Sequence, residues 1–213
     1  MSVILFDMDG TLIDSTDAIY ESFCSVFAKH KMPMLSKNEV AKYIGYTLSD
    51  MFAFMGVKAE KIEQCCDDYK RHYTQIHNLK TTMLPNAINA IKLAHSFATL
   101  GIVTTKTSAS SRNLLEHFGV AKYFKAIVGR EDVLNPKPSG EPILKALSQM
   151  EVSVENAFMI GDTILDLIAA KEAKITGIGV LCGYGIREDL AKFSDKIFSD
   201  TLEAVEFIKT LNA

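Results

Sequence analysis

Two aspartates near the N-terminus are spaced so that they can act together at one site. Asp7 and Asp9 directly follow the apolar run 3–6, which has the length and composition of a strand buried on both faces. Because side chains alternate along an extended chain, both carboxylates can point the same way. A bound cation usually compensates two like charges held this close, and Gly10 lets the backbone turn tightly around such a cation. A solvated turn after a strand is the alternative for this stretch taken alone.

Polar side chains also follow the other predicted strands, over 98–105, 126–129 and 157–160. Ligands of open parallel sheets bind beyond the carboxyl ends of the strands, so the residues there are considered together. Carboxylate oxygens suit Mg²⁺, and a hydroxyl with a lysine suits phosphate oxygens. Each residue taken alone could instead have an ordinary structural role, such as a β-branched residue at a strand end, a solvated loop lysine or a helix N-cap. The residues considered are Thr104, Thr105 and Lys106 at the end of the first of these strands, Lys137 between two prolines in the segment after Gly129, and Asp162 with Asp166 after the third.

Only helices are predicted between the first strand and the others. Apolar residues at helical spacing carry this prediction, together with N-cap residues such as those of the capping-box pattern from Ser36 to Glu39. The predicted helices of this stretch cover 14–31, 36–44, 49–55 and 59–77.

After Pro85 the predicted helices and strands alternate. Strands separated by helices of about ten residues predict parallel βαβ units with right-handed crossovers. The predicted fold class is therefore α/β, with a Rossmann-like parallel sheet formed by residues 1–14 and 84–213 and an inserted all-helical domain over 15–83. The predicted helices of the sheet domain cover 86–95, 108–118, 142–150 and 165–173, and a last strand covers 177–181.

Composition narrows the class of protein. The chain has 213 residues, of which 48% are hydrophobic and 23% charged, and this balance is typical of a soluble globular protein. Its net charge of −3 gives no reason to expect nucleic acid or an acidic membrane surface as a partner. No apolar run approaches the roughly 20 residues of a membrane span. The four cysteines lack metal-site spacing, which favours free thiols in a reducing cytoplasm.

Taken in chain order, these motifs resemble the haloacid dehalogenase superfamily of phosphatases over essentially the full chain. Residues 7–11 match its DxDGT signature, and residues 161–166 match its acidic GDxxxD motif. Thr104 matches the Thr or Ser at a strand end, and Lys137 matches the loop lysine. The helical insertion is similar to the α-helical cap of the phosphoglycolate-phosphatase-like branch.

The resemblance implies a role for each matching residue. Asp7 would be the nucleophile that forms an aspartyl-phosphate, and Asp9 would protonate the leaving alkoxide and then activate water. The Asp7 carboxylate, the Asp9 backbone carbonyl and Asp162 would bind Mg²⁺, with Asp166 either a direct ligand or the holder of a metal-bound water. The remaining implied residues, which would bind the transferring phosphate, are Thr104, Thr105 and Lys137.

Other activities of the same superfamily are less well supported. Dehalogenases lack the second aspartate of the signature, which is present here as Asp9. Sugar-phosphate mutases carry a His and an Arg where this chain has Ile19 and Leu48. The early lysines, Lys29 and Lys31, do not obviously match the Schiff-base lysine of phosphonate-cleaving relatives. A non-catalytic binding protein on this fold would lack at least one of the acidic residues or the lysine, and none is missing.

The substrate stays open at this level. We expect a small phosphorylated metabolite like phosphoglycolate, with pyrophosphate, nucleoside monophosphates and sugar phosphates as alternatives, and a monomer or homodimer. Lys174, at a position where relatives often have glycine, is expected to affect only a turn. Specificity is expected to come from the cap and hinge, around Thr16, Tyr20, Gly45, Tyr46 and Thr47.

Overall fold

A six-stranded parallel sheet is the centre of the protein, whose computed structural model describes residues 2–211. The first strand lies in the middle of the sheet. The next strands of the chain are added on one side of it, and the later strands on the other side. The strands of the described chain are β1 (Ser2–Phe6), β2 (Ile13–Asp14), β3 (Thr82–Met83), β4 (Ala98–Val103), β5 (Phe124–Val128), β6 (Ala157–Gly161), β7 (Thr176–Val180) and β8 (Ile197–Phe198). The order across the sheet is β5-β4-β1-β6-β7-β8.

Helices cover both faces of this sheet. Alternation along β1 sends Ile4 and Phe6 into one apolar cluster and Val3 and Leu5 into another, so the strand is buried from both sides. The α-helices are α1 (Thr16–Lys29), α2 (Lys37–Ala41), α3 (Leu48–Phe54), α4 (Ala59–Lys80), α5 (Ala87–His95), α6 (Ser108–His117), α7 (Glu141–Met150), α8 (Ile164–Glu172), α9 (Arg187–Leu190) and α10 (Thr201–Thr210). Among residues 2–211, none of these helices is long and apolar enough to cross a membrane.

The first four helices form a continuous insertion, which we call the helical segment (residues 16–80). It begins and ends at one place, because β2 and β3 pair antiparallel, with Ile13 opposite Met83 and Asp14 opposite Thr82. The segment has an apolar cluster of its own. At its centre the Phe23 ring lies 4.8 Å from the Phe52 ring and 4.9 Å from the Tyr69 ring, centroid to centroid.

The predicted α/β fold with a parallel sheet is confirmed, and so is the all-helical stretch after the first strand. Two predicted boundaries were too long: the helix over 36–44 ends at Ala41, and the strand over 98–105 ends at Val103. The chain turns after Val103, where the Lys106 amide donates to the Thr104 hydroxyl at 3.2 Å. Lys174 has a φ of 59° in the turn between α8 and β7, which confirms that it occupies a turn.

The sequence prediction missed the short β2–β3 pair and everything after residue 181. Strands of two residues, such as β2, β3 and β8, are too short to show a periodic pattern. Helix α10 did leave a signal, because Asp200 and Glu203 stand at capping positions before Val205 and Ile208, which are buried at helical spacing.

Replacing Phe23 by alanine should destabilise the helical segment strongly. The side chain is 1% exposed, and removing a buried phenyl ring costs about 3–5 kcal/mol because a cavity remains. Urea unfolding of Phe23→Ala against wild type measures this loss. Leu79→Ala, on the 84% exposed Leu79, is the control and should change stability by less than about 0.5 kcal/mol. A loss below about 1 kcal/mol for Phe23→Ala would mean that this ring is not central to the packing.

Candidate active site

The ends of β1, β4 and β6 bring the predicted polar residues together. Phe6 pairs with Ile102 on β4 and with Ile160 on β6, so the residues that follow these three lie at one edge of the sheet. This edge is the carboxyl end of the strands, and β1 and β6 flank the point where the strand order reverses. Asp7 and Asp162 are therefore neighbours because of the sheet topology alone.

Lys137 lies between two of the predicted carboxylates. Its Nζ is 2.9 Å from Asp7 Oδ1 and 2.5 Å from Asp166 Oδ1, and all three side chains are at most 3% exposed. Asp166 Oδ2 accepts bonds from the amide and hydroxyl of Thr163, the N-cap of α8, at 3.1 and 2.7 Å. Asp166 thus orients the lysine while it also caps its own helix.

Asp162 is enclosed by glycines and by a loop that follows β7. Its Oδ2 accepts a 2.8 Å hydrogen bond from the Tyr184 amide, and its Oδ1 accepts one of 3.0 Å from the Thr11 hydroxyl. A Cβ at Gly10 or Gly183 would overlap the Asp162 carboxylate, so only glycine allows the backbone to approach it this closely. Gly10 also has a φ of +82°, which other residues rarely adopt.

Asp9 lies where the sheet domain meets the helical segment. The Ser15 hydroxyl, just before α1, donates to Asp9 Oδ1, and Lys106 Nζ lies 3.2 Å from Asp9 Oδ2. Lys106 also donates to the Tyr73 hydroxyl of α4 at 2.7 Å, and its Nζ is 4.5 Å from the Tyr73 ring centroid. Burial opposes the charge of Lys106, yet Asp9 and Tyr73 outweigh this effect and raise the Lys106 pKa above its ordinary value.

The two threonines after β4 have different contacts. Thr104 is buried and accepts the Lys106 amide hydrogen bond through its hydroxyl. The Thr105 hydroxyl instead donates to the Gly45 carbonyl of the helical segment at 2.9 Å. Thr105 therefore links the end of β4 to the helical segment.

The acidic cluster fits a divalent cation. Carboxylate oxygens of Asp7, Asp162 and Asp166 lie within 4.8 Å of one another. Asp7 Oδ1 is buried, and within the described chain it makes an ion pair with Lys137 but no hydrogen bond of good geometry. Three buried carboxylates beside one lysine leave excess negative charge, and oxygen ligands of this kind are those that Mg²⁺ prefers.

Two of these carboxylates have raised pKa values. Burial raises the pKa of Asp7 to about 7, with Lys137 opposing this shift and Asp166 and Asp9 adding to it. Burial also raises the pKa of Asp162 well above its ordinary value, and the charges of Asp166 and Asp7 raise it further. Without additional positive charge, ionising Asp7 and Asp162 together is therefore unfavourable.

The structure brings all the predicted site residues to one edge of the sheet and adds others that the sequence prediction missed. Ser15 is one of these: it stands at the N-cap position of α1, but its hydroxyl donates to Asp9 and makes no side-chain cap. The loop with Gly183 and Tyr184 was also missed. Two glycines around Tyr184, just past a predicted strand, were the available signal.

Fold and site together define an α/β protein with an acidic centre at the switch point of its sheet. The family model of the haloacid dehalogenase-like hydrolases matches residues 4–180, so the chain belongs to this family. The resemblance seen in the sequence motifs and the prediction of a hydrolase are thereby confirmed.

Individual relatives agree with this assignment. The pyrophosphatase PpaX of Halalkalibacterium halodurans is 30% identical over 92% of this chain and 90% of its own length. A haloacid dehalogenase-like hydrolase of Bacteroides fragilis superposes with a TM-score of 0.90 at 27% identity, covering 95% of this chain and 98% of that one. A structure named a predicted phosphoglycolate phosphatase, from Haemophilus somnus, has a TM-score of 0.86 at 23% identity over 97% of both chains, which shows likeness of fold.

Stabilisation by Mg²⁺ should increase with pH. Because the folded-state pKa of Asp7 lies near 7, above its ordinary value, the metal-free folded protein retains protons that the unfolded chain has lost. The metal-free protein therefore loses stability through this group as pH rises from about 4 to 7. A bound cation needs the ionised carboxylates and restores that stability.

Urea unfolding in EDTA and in Mg²⁺, at several values between about pH 5 and pH 8, measures the difference. In Asp162→Asn the effect of Mg²⁺ should largely disappear. A Mg²⁺ effect that is the same at every pH would contradict this account of the cluster.

Proposed function

We propose that the chain is a Mg²⁺-dependent phosphatase of a small phosphorylated metabolite that acts through an aspartyl-phosphate on Asp7. The observation that carries this proposal is the buried group of Asp7, Lys137, Asp162 and Asp166 at the switch point of the sheet. Family membership and relatives named as phosphatases or pyrophosphatases support it.

Asp7 is the nucleophile in this proposal. One of its carboxylate oxygens forms a bond to phosphorus while the bond from phosphorus to the leaving-group oxygen breaks. Lys137, 2.9 Å from Asp7 Oδ1, favours the ionised carboxylate and offsets charge on the transferring oxygens. Asp166 keeps Lys137 in position through the 2.5 Å ion pair.

Asp9 moves the protons of both steps. It donates a proton to the leaving oxygen in the first step and accepts one from water in the second. That water attacks phosphorus, the bond to Asp7 breaks, and phosphate leaves. Ser15 and Lys106 hold the Asp9 side chain from two directions, so its carboxylate has a defined orientation.

Mg²⁺ would be held by the Asp7 carboxylate, the Asp9 backbone carbonyl and Asp162, and it would neutralise charge on the phosphate oxygens. In this proposal Asp166 is mainly a partner of Lys137, because Lys137 and Thr163 already engage both of its oxygens. Thr104 and Lys137 contact the phosphate, and Thr105 contributes from the start of the loop.

The helical segment acts as a cap in this proposal. Residues 15–83 would form the cap domain, and residues 1–14 with 84–213 would form the core domain, with the β2–β3 pair as the hinge. The separate apolar cluster of the helices and the small set of polar contacts to the core support this division. Closure of such a cap excludes water during the first step.

Pyrophosphatase activity is a second candidate, because the relative from Halalkalibacterium halodurans carries that name. It needs the same chemistry with phosphate as the leaving group.

We also propose a cytoplasmic location, which the four free cysteines support.

Asp7→Asn should abolish phosphate release from p-nitrophenyl phosphate in Mg²⁺. The amide has nearly the shape of the carboxylate, so the fold should persist while the nucleophile is lost. Phosphate release by wild type and variant, with circular dichroism to confirm folding, makes the test. Asp14→Asn, on an exposed aspartate of β2, is the matched control and should remain active. More than a few per cent of wild-type activity in Asp7→Asn would refute the aspartyl-phosphate route.

Lys106→Met should lower kcat by about ten- to a hundredfold, because a misplaced catalytic group loses rate in this range. The control is Lys122→Met, since Lys122 Nζ lies 5.3 Å from the Tyr123 ring centroid in a similar arrangement away from the site. An unchanged kcat in Lys106→Met would show that Lys106 does not support Asp9.

A further inference from the structure

A cavity of about 730 Å³ begins at Asp9 and extends between the helical segment and α6. Asp9 and Lys106 both line it, so an occupant in this part of the cavity is next to the oxygen that Asp9 protonates in the proposed mechanism. The cavity therefore receives the leaving group rather than the phosphate.

The volume of this cavity is large for the smallest candidate substrates. Pockets of roughly 300–1,000 Å³ bury ligands of drug size. The leaving group of pyrophosphate is a single phosphate, and that of phosphoglycolate has two carbons. Either would contact only the part of the cavity near Asp9 and Lys106 and would leave most of its walls without a partner.

The cavity walls carry both apolar and polar side chains. Apolar side chains such as Ile19, Ile44 and Met51 line it together with the ring of Tyr69, and polar ones such as Thr74 and Ser110 lie among them. An occupant that is hydroxylated on every face would leave the apolar side chains unmatched. An occupant with a flat apolar face and polar edges matches both kinds of side chain.

We propose that this cavity selects phosphate monoesters whose leaving group has nucleoside size, with polar edges and a flat apolar face, so that nucleoside 5′-monophosphates are the substrate class. This inference rests on the proposed phosphatase function and specifies its substrate. The phosphate lies at Asp7, the ester oxygen near Asp9, the sugar hydroxyls near Lys106, and the base among the mixed apolar and polar side chains of the cavity walls.

The test compares kcat/KM for a set of substrates at fixed Mg²⁺, with phosphate release as the readout. The set contains the nucleoside 5′-monophosphates, pyrophosphate, phosphoglycolate, glucose 6-phosphate and p-nitrophenyl phosphate. The best nucleotide should exceed pyrophosphate, phosphoglycolate and glucose 6-phosphate by at least about tenfold, because unmatched walls cost discrimination of this order. A preference for any of those three overturns the inference.

Variants of the cavity wall give a second, independent readout. Ser110→Trp places an indole in the cavity, so the ratio of kcat/KM for the best nucleotide to that for pyrophosphate should fall by at least about tenfold. Thr74→Trp, on α4, should have the same effect and serves if Ser110→Trp does not fold. Arg112→Trp is the matched control on the exposed side of α6, outside the cavity, and should leave the ratio unchanged. An unchanged ratio in a folded cavity variant overturns the inference.

The substrate comparison distinguishes failure of this inference from failure of the proposed function. A wild-type protein that releases phosphate from none of these substrates, p-nitrophenyl phosphate included, refutes the phosphatase proposal itself. A protein that hydrolyses p-nitrophenyl phosphate but prefers pyrophosphate, phosphoglycolate or glucose 6-phosphate remains a phosphatase, and only the assignment of the cavity is then wrong.

Discussion

The ion pairs of Lys137 are the interaction on which the acidic centre depends. One buried ammonium group lies 2.9 Å from Asp7 and 2.5 Å from Asp166, in a place where neither carboxylate has access to bulk water. Removing either partner from such a group leaves an uncompensated buried charge, which is strongly destabilising. Yet one lysine cannot balance three carboxylates. Burial raises the pKa values of Asp7 and Asp162, and neighbouring carboxylates raise them further. Ionising these groups together is therefore unfavourable without added positive charge, which favours a bound cation.

The backbone around this centre is arranged to tolerate that charge. Parallel strands bring Asp7 and Asp162 side by side, and the glycines at 10 and 183 let the chain close over the Asp162 carboxylate. The Tyr184 amide and the Thr11 hydroxyl donate to Asp162, which partly offsets the cost of its burial. The close approach of the backbone and the hydrogen bonds to the Asp162 carboxylate thus depend on each other.

Sequence reasoning found the parts of this arrangement that leave local signals. Asp7 and Asp162 follow apolar runs at strand ends, and the topology of parallel strands then places them together. Lys137 was found in the segment that follows β5, between two prolines. The pairing of Lys106 with Tyr73 joins residues 33 apart through tertiary packing, and no spacing rule predicts it. The contact of Ser15 with Asp9 was also not predictable, because a serine before a helix ordinarily acts as an N-cap. The contact that it makes instead depends on where Asp9 lies in three dimensions.

The contacts of Asp9 connect the chemistry to the position of the helices. Ser15 stands at the start of α1, and Lys106 reaches Asp9 while its ammonium group also bonds Tyr73 of α4. The orientation of Asp9 and the positions of α1 and α4 are therefore linked through Ser15 and Lys106. If the helical segment moves as the proposed cap, a movement of α4 away from the sheet would break the Tyr73 contact and leave the Lys106 charge shared between Asp9 and solvent. An occupant of the cavity that contacts both Lys106 and the helices would then favour the arrangement in which these groups lie together.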